Sequence, residues 1–260
     1  MGHKGILLVG GTGSRLHPLT IAVNKHLLPI YDKPMCYYPL STLIQGGIKE
    51  ILLISTKTDL TLFHKLLGDG SQFGVKIEYA MQEKPNGISE AFIIGKDFIG
   101  DDNVTLILGD NIFWGNGFKE GLEQSIKFAN VNKATIFGYK VKDPERYGVM
   151  EFNNQGNLIG VEEKPKNPKS NFGVIGLYTY CNNVVEYVKD VKPSARGELE
   201  ITSLNQIYLD KGELVHRLIG GGNLWLDTGE YSSLLQASQV VAMIQERLGI
   251  PVGCPDCHLK

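Results

Sequence analysis

The chain lacks several features that would place it in a large class of proteins. None of its apolar runs reaches the eighteen or so residues that cross a bilayer, and its N-terminus lacks the charged and then apolar segments of a signal peptide. Its 26 basic and 28 acidic residues leave a formal net charge of -2, which gives no electrostatic indication of a nucleic acid or membrane partner. We therefore expect a cytoplasmic protein whose partners are small molecules.

Cysteine is also scarce, with four residues in 260. Cys36 and Cys181 stand in apolar segments, so we expect them to be small core residues. Cys254 and Cys257 have the spacing of half a zinc or redox site, but no second pair of Cys or His residues is spaced to complete it. The sequence therefore favours a short frayed tail at 254–260 over a metal site.

The most informative segment is the glycine-rich run Gly10-Gly11-Thr12-Gly13-Ser14-Arg15. It follows an apolar run, Gly5 to Val9, that has the length of a buried strand, and Lys25 stands a little further on. Glycines let backbone N–H groups approach an anion closely, and the two cations add positive charge, so the segment predicts a phosphate site. It is neither a Walker loop nor a dinucleotide fingerprint, which would need glycine where Leu16 stands. A glycine-rich turn kept only for its geometry stays an alternative here.

Strand-like and helix-like patterns alternate along the first half of the chain. Strands are predicted at Gly5 to Val9, Glu50 to Ser55, Val75 to Gln82, Val104 to Leu108 and Lys133 to Val141, and helices at Thr58 to Leu67, Ile88 to Phe98 and Phe118 to Ala129. A hairpin at 148–162 follows, then a strand at 171–180, a helix at 199–210, a strand at 214–219 and a long closing helix at 231–248. This order predicts a Rossmann-like α/β fold, a mostly parallel, mixed sheet flanked by helices with an inserted antiparallel hairpin lobe.

Two aspartates are the candidate metal ligands. Asp110 and Asp227 each follow apolar residues and precede a predicted helix, and ligands bind at the carboxyl ends of strands in open α/β sheets. Two carboxylates near a phosphate site suit Mg²⁺, which is typically held by one or two carboxylates together with substrate phosphates and waters. A single Asp at a strand end is also commonly a turn residue or a helix cap, and the sequence does not bring these two together.

Three further segments contain residues that could bind a ligand. They are Glu162-Glu163-Lys164-Pro165, the pair Tyr147-Gly148, and Arg196 to Thr202. A solvated strand end is the competing interpretation of the first, and a simple helix start is that of the last. His26 and His17 flank the glycine loop without the Ser or Cys partner of a hydrolase, so no catalytic role is assigned to them.

Taken together, these segments resemble the glucose-1-phosphate thymidylyltransferases of the sugar nucleotidyltransferase family. The resemblance extends in order from about residue 4 to residue 253. It rests on Gly10 to Arg15, Asn24 to Pro29, Tyr31 to Met35, Leu108 to Asn111, Asp143 to Gly148, Glu162 to Pro165 and Trp225 to Gly229. It implies a single nucleotidyltransferase domain, 1–253, with a nucleotide half at 1–141, a sugar-phosphate half at 142–229 and the closing helix at 230–249.

The resemblance also implies a reaction, in which dTTP and α-D-glucose 1-phosphate give dTDP-glucose and pyrophosphate with Mg²⁺ as cofactor. Asp110 and Asp227 would hold the metal, while Arg15, Lys25 and Lys164 would be the catalytic cations. The implied nucleotide-binding residues are Gly10, Gly11, Gly13, Gln82 and Gly87, and the implied sugar-phosphate-binding residues are Asn111, Tyr147, Gly148, Glu163, Lys164, Val174 and Arg196. A homotetramer and a place in dTDP-rhamnose synthesis are further implications of the resemblance.

The chain departs from the family pattern at three positions beside the implied nucleotide site. Val9 replaces a usual alanine, Asn86 a usual aspartate and Glu90 a usual glutamine. These departures put the base preference in question more than the reaction type. A nucleotidyltransferase that uses UTP or another hexose 1-phosphate stays an alternative, as does a catalytically silent subunit that senses nucleotide sugars.

Overall fold

The computed structural model describes residues 2–257. Its strands are β1 (His3–Leu8), β2 (Pro29–Ile30), β3 (Lys33–Pro34), β4 (Glu50–Ser55), β5 (Lys76–Met81), β6 (Asn103–Leu108), β7 (Asn111–Gly115), β8 (Ala134–Lys140), β9 (Gly148–Phe152), β10 (Leu158–Glu163), β11 (Phe172–Tyr180), β12 (Leu214–Ile219) and β13 (Asn223–Asp227). Its α-helices are α1 (Tyr37–Gln45), α2 (Lys57–Leu67), α3 (Glu90–Ile94), α4 (Lys96–Ile99), α5 (Phe118–Ala129), α6 (Val184–Tyr187), α7 (Ile201–Asp210) and α8 (Tyr231–Leu248). None of these helices is long and apolar enough to span a bilayer.

The chain divides into two compact units, and neither is a continuous stretch of sequence. The first unit comprises Lys4–Pro85, Ile107–Lys119 and the chain from Asn223 onward. The second comprises the N-terminal residues through His3, Asn86–Leu106 and Glu120–Gly222. Asp227 therefore belongs to the same unit as the glycine loop, although more than two hundred residues separate them along the chain.

Parallel strands form the centre of the first unit. β1 pairs with β4 and β4 with β5, with Gly5 opposite Ile51 and Ile51 opposite Ile77. The aliphatic side chains of β1 and β4 are almost completely buried, as expected for strands covered on both faces. A second cluster of buried side chains joins the N-terminal part of this unit to α8; it contains Ile30, Met35, Tyr38, Ile112, Ala237, Val241, Ile244 and Val252. This cluster fixes α8, and with it the end of β13 that precedes the helix.

The second unit contains the predicted hairpin and a mixed set of strands. β9 pairs antiparallel with β10, and β11 pairs antiparallel with both β8 and β9. β12 pairs parallel with β8. The predicted fold class, a mixed sheet with helices and an inserted antiparallel hairpin, is confirmed.

The C-terminal segment contains a disulfide. Cys254 and Cys257 are joined, Pro255 between them is buried, and a Cβ on Gly253 would collide with the ring of Tyr38. The prediction of a frayed tail did not anticipate this bridge, and the rest of that predicted tail, 258–260, lies outside the described residues. The other two cysteines, Cys36 and Cys181, are buried as predicted.

Candidate active site

The glycine loop follows β1 in the first unit, and each of its glycines has a local structural reason. Gly11 has φ +94° and Gly13 has φ +61°, a region that side chains other than glycine rarely adopt. A Cβ on Gly10 would lie 2.9 Å from Oε1 of Gln82, and one on Gly13 would lie 3.2 Å from Thr20. The loop is therefore compact, and its glycines keep the backbone accessible to a ligand.

Two cations flank this loop in different environments. Lys25 begins a short 3-10 turn, Lys25–Leu27, and its side chain is only 14% exposed. Its Nζ lies 2.5 Å from Oδ2 of Asp110. Arg15 is 59% exposed and lies 3.8 Å from Glu230, and a Cβ on Gly229 would come within 3.1 Å of its guanidinium. Lys25 is thus a fixed charge, whereas Arg15 is accessible to an incoming anion.

The two predicted metal ligands lie together in the first unit. Asp110 follows β6, and Asp227 ends β13, which pairs antiparallel with β7 so that Asp227 is opposite Asn111. Thr228 reinforces this arrangement, because its N–H and its hydroxyl both donate to the Asp110 carbonyl, at 3.1 and 2.8 Å. The expectation that a helix follows Asp110 is wrong, since β7 comes next; α8 does follow Asp227, but its N-cap is Glu230.

The two carboxyl groups have pKa values displaced in opposite directions. Burial disfavours the ionised form of Asp110, but the adjacent Lys25 ammonium outweighs it and holds the pKa below its usual range. Burial raises the pKa of Asp227, the charge on Asp110 raises it further, and Lys25 and Arg15 compensate only in part. Burial is thus the main reason that the ionised form of Asp227 is disfavoured, and a cation bound beside the two carboxylates would oppose this effect and the repulsion from Asp110.

Asn111 and Gln82 are both buried polar residues of the first unit. The Asn111 amide donates to Asp110 Oδ1 at 2.9 Å, and its Oδ1 accepts from Nε1 of Trp225 at 2.6 Å. Gln82 follows β5 and its N–H donates to the Ser55 carbonyl at 2.8 Å. A pocket of about 450 Å³ lies within this unit; it is lined by Gly11, Thr12, Thr20 to Asn24, Thr56, Thr58, Asp59, Leu62 and Gln82 to Pro85.

The predicted sugar-phosphate residues lie mainly in the second unit. The β9–β10 register places Gly148 opposite Glu163, and the Lys164 N–H donates to the Tyr147 carbonyl at 2.9 Å. Lys164 has φ +44°, an unfavourable conformation for a residue with a side chain, and its Nζ lies 3.3 Å from Glu163. Val174 on β11 is buried, and a Cβ on Gly148 would lie 3.9 Å from its Cβ. The hairpin end thus holds a lysine in a strained and defined position.

Arg196 is held by carboxylates of the same unit. Its Nη2 donates to Glu200 at 2.8 Å and lies 3.4 Å from Glu163. Glu200 is almost fully buried, and Glu163 accepts a second hydrogen bond from the Thr202 hydroxyl at 2.5 Å. A Cβ on Gly148 would lie 2.9 Å from that hydroxyl, so the glycine leaves space beside Glu163.

Gly87 lies in a turn that only glycine fits. Its φ is +110°, and a Cβ there would collide with the backbone of Leu199. The Leu199 N–H donates to the Asn86 carbonyl at 2.6 Å, and the Ser89 N–H donates to the Leu199 carbonyl at 3.1 Å. Gly87 belongs to the second unit, whereas Gln82, which was predicted to read the same base, belongs to the first.

Several residues that were not predicted from the sequence hold the predicted ones in place. Asn24, Asp59 and His26 support the glycine loop, and Glu200 supports Arg196. Burial, together with the Lys25 charge, lowers the pKa of His26 to about 3, so its imidazole is neutral. The only signal was position, since Asn24 and His26 stand on either side of Lys25, and Glu200 stands four residues after Arg196.

The fold and these residues define a class of protein. The chain belongs to the nucleotidyl transferase family, whose model matches residues 4–243. More particularly, it is 52% identical over 251 residues to the glucose-1-phosphate thymidylyltransferase of Neisseria gonorrhoeae, a match that covers 96% of this chain and 86% of the relative. It is 53% identical over 253 residues to the protein of that name from Mycolicibacterium smegmatis, covering 97% of this chain and 87% of the relative. The predicted family is confirmed.

Solved structures agree with this assignment. A Bacillus anthracis protein provisionally named glucose-1-phosphate thymidylyltransferase, crystallised with a sucrose, matches with a TM-score of 0.84 and 42% identity over 92% of this chain and 95% of that one. A UDP-glucose pyrophosphorylase in complex with UDP-glucose matches with a TM-score of 0.81 over 95% of this chain and 100% of that one. Since the second is only 21% identical, it supports the fold alone.

Proposed function

We propose that this chain is a glucose-1-phosphate thymidylyltransferase that converts dTTP and α-D-glucose 1-phosphate to dTDP-glucose and pyrophosphate. The relatives that share about half of its residues bear that name. The observation that supports it most strongly is the cluster of Lys25, Asp110 and Asp227 in the unit that also contains the glycine loop. Such a cluster suits phosphoryl chemistry, in which alignment and charge neutralisation supply most of the rate enhancement.

We assign the nucleotide to the first unit. The N–H groups of the glycine loop would bind the phosphates, and Arg15 and Lys25 would neutralise the triphosphate and the departing pyrophosphate. The sugar phosphate is an anionic oxygen nucleophile at neutral pH, so its in-line attack on the α-phosphorus requires no general base. The chain accordingly needs only to bind and align the two substrates and to neutralise their negative charge.

The cofactor that fits this site is Mg²⁺, held by Asp110 and Asp227. Both are oxygen donors of the kind that Mg²⁺ prefers, and a cation beside them would favour the ionised form of Asp227, which burial and the charge on Asp110 disfavour. When bound, the ion supplies positive charge to the phosphates. Lys25 holds Asp110 ionised, and Thr228 fixes its backbone.

We assign the sugar phosphate to residues of the second unit. Lys164 and Arg196 are cations suited to the phosphate of glucose 1-phosphate. The carboxylate of Glu163 and the N–H and C=O groups near Tyr147, Gly148 and Val174 are suited to glucose hydroxyls. Each carboxylate oxygen has more than one acceptor position, so Glu163 would accept from a sugar hydroxyl in addition to its contacts with Thr202 and Arg196.

Thymine is the proposed base of the nucleotide substrate. We assign it to Gln82, whose side-chain amide can pair with a carbonyl and an N–H of thymine. The family resemblance also implies a role for Gly87 in nucleotide binding. Uracil presents the same groups, and the thymine methyl contributes only about 1–3 kcal/mol in an apolar pocket. A UTP-dependent enzyme is therefore the principal alternative.

The setting of the enzyme is part of the proposal. We propose that residues 1–253 act as a single catalytic domain and that the protein works in the cytoplasm as a homo-oligomer, with a tetramer as the family resemblance implies. The family match over 4–243 supports the first point, since it spans both units.

A competition assay tests the proposed function. The protein is given Mg²⁺, equal concentrations of dTTP and UTP, and a mixture of hexose 1-phosphates, and the nucleotide sugars are separated and quantified. We expect dTDP-glucose to dominate, and Asp110→Asn to lower its formation by about 10²-fold or more. A dominant UDP-sugar product would refute the assigned base, and a wild-type protein that binds dTTP without turnover would indicate the sensing subunit instead.

A further inference from the structure

The side chain of Asn24 connects the glycine loop to three other parts of the first unit. Its Nδ2 donates to the Val9 carbonyl at 3.1 Å and to Asp59 Oδ2 at 2.8 Å. Its Oδ1 accepts from the His26 N–H at 2.9 Å and lies 2.8 Å from His26 Nδ1. The amide therefore uses both of its hydrogens and both of its acceptor positions, and the residue is 7% exposed.

These contacts hold two groups that the proposed function requires. Val9 is the residue immediately before Gly10, and its carbonyl is fixed from a second side by the Ser55 hydroxyl at 3.0 Å. Asn24 is also the N-cap of the 3-10 turn that begins with Lys25. The Asn24 side chain thus fixes the position of the backbone at the start of the glycine loop and of the backbone at Lys25, the proposed catalytic lysine.

His26 packs against the backbone that leads into Asp110. Its ring is buried against the residue before that aspartate, since a Cβ on Gly109 would lie 2.6 Å from His26 Cδ2. The Gly109 N–H donates to the Leu8 carbonyl at 2.9 Å, so the backbone entering Asp110 lies against β1 on one side and the imidazole on the other.

Asp59 provides a fixed anchor for Asn24. It lies in the first turn of α2, whose N-cap is Thr56. The Thr56 hydroxyl donates to Asp59 Oδ2 at 2.7 Å, and the same hydroxyl accepts from the Asp59 N–H at 3.4 Å. The carboxylate is therefore oriented before it meets Asn24, and the loop is anchored to a helix rather than to another loop.

We propose that Asn24 and Asp59 are positioning residues for nucleotidyl transfer: their hydrogen bond holds the glycine loop and Lys25 at the spacing that the triphosphate requires. The inference rests on the proposed function. Neither residue contacts the reacting atoms in this proposal; both act through Lys25 and through the loop. Their effect is thus expected in nucleotide binding and in kcat, and not in the KM for the sugar phosphate.

The amide–carboxylate pair allows a reciprocal exchange as its test. Asn24→Asp places two carboxylates face to face, and Asp59→Asn removes the anionic acceptor. Together the two changes restore an amide opposite a carboxylate, and the new carboxylate at position 24 can still accept from the His26 N–H. The new carboxylate has no hydrogen to donate to the Val9 carbonyl, so the double variant restores the 24–59 contact but not the Val9 contact. We expect each single variant to lower kcat at least tenfold and to weaken dTTP binding. The double variant should exceed Asn24→Asp in both quantities, because the 24–59 contact returns, but should stay below the wild type, because the Val9 contact does not; the sugar-phosphate KM should be unchanged throughout.

Two measurements keep the outcomes distinct. Calorimetric binding of dTTP is measured beside turnover, so a wild-type protein without transferase activity would refute the proposed function and leave the positioning role to be judged from binding. Asp69→Asn, at a carboxylate that caps Ser71 in a surface turn, is the matched control and should change neither quantity. If the exchanged pair recovers thermal stability but not dTTP affinity, or if the single variants lose only stability, the positioning role is refuted.

Discussion

The buried ion pair between Lys25 and Asp110 predicts that a second substitution can restore the stability lost in a Lys25 variant without restoring its catalytic activity. The two side chains are 14% and 12% exposed and their charged atoms are 2.5 Å apart. Lys25→Met leaves a buried carboxylate without its partner, a change that typically costs about 3–5 kcal/mol. Adding Asp110→Asn removes the uncompensated charge as well, so we expect the double variant to be more stable than Lys25→Met by at least about 1 kcal/mol.

Urea unfolding of the two single variants, the double variant and the wild type at pH 7 measures this difference. Both Lys25→Met and the double variant should be catalytically impaired, so recovered stability without recovered activity separates the two roles of Lys25. Mg²⁺ provides an internal check, because it should stabilise Lys25→Met, by about 1.4 kcal/mol at ten times its Kd, and should not stabilise the double variant as much. A Lys25→Met variant that loses less than about 1 kcal/mol, or a double variant whose loss equals the sum of the single losses, would refute the buried-pair argument.

Two further predictions concern the second unit. Burial lowers the pKa of His3 from 6.5 to about 4 despite the nearby Asp102. As the pH falls, His3 is therefore protonated in the unfolded chain before it is protonated in the folded one. Its contribution to the free energy of unfolding is complete above pH 6.5 and decreases by about 3 kcal/mol as the pH falls toward 4. Unfolding measured across this range should show a shallower loss in His3→Gln, and an unchanged slope would contradict the assignment. Gly87→Ala should raise the KM for dTTP at least tenfold, because its φ of +110° and the Leu199 backbone exclude a Cβ. Gly220→Ala, where a Cβ has open space, is the control, and equal kinetics in the two variants would contradict the turn argument.

The elements that were predicted most closely are those with strong local patterns. The strand Glu50–Ser55 and the helices Phe118–Ala129 and Tyr231–Leu248 have the bounds read from the sequence. The predicted helix at 88–98 is instead two short helices, because the chain turns at Gly95. Local periodicity alone did not show this break, since apolar spacing continues across the glycine.

Long-range pairing was the part that the sequence could not supply. Strands β7 and β13 were missed as a pair, although Trp225 lies opposite Phe113 and the pairing brings Asp227 beside Asn111. Each of the two aspartates was identified as a candidate ligand, but their meeting depends on residues more than one hundred positions apart. The Asn24 contacts were missed for the same reason, because its partner Asp59 lies on a different element.

The charges of the cluster explain why a metal belongs in the proposed site. Lys25 and Arg15 carry two positive charges, and Asp110 and Asp227 carry two negative charges when ionised, so the four side chains cancel. A triphosphate adds several negative charges that these cations alone do not neutralise. Even without the nucleotide, burial and the charge on Asp110 raise the pKa of Asp227. A divalent cation at the two carboxylates would reverse that balance and leave Lys25 and Arg15 for the phosphates. The carboxylates, which without a metal would repel the nucleotide, are therefore the reason that a metal–nucleotide complex would bind.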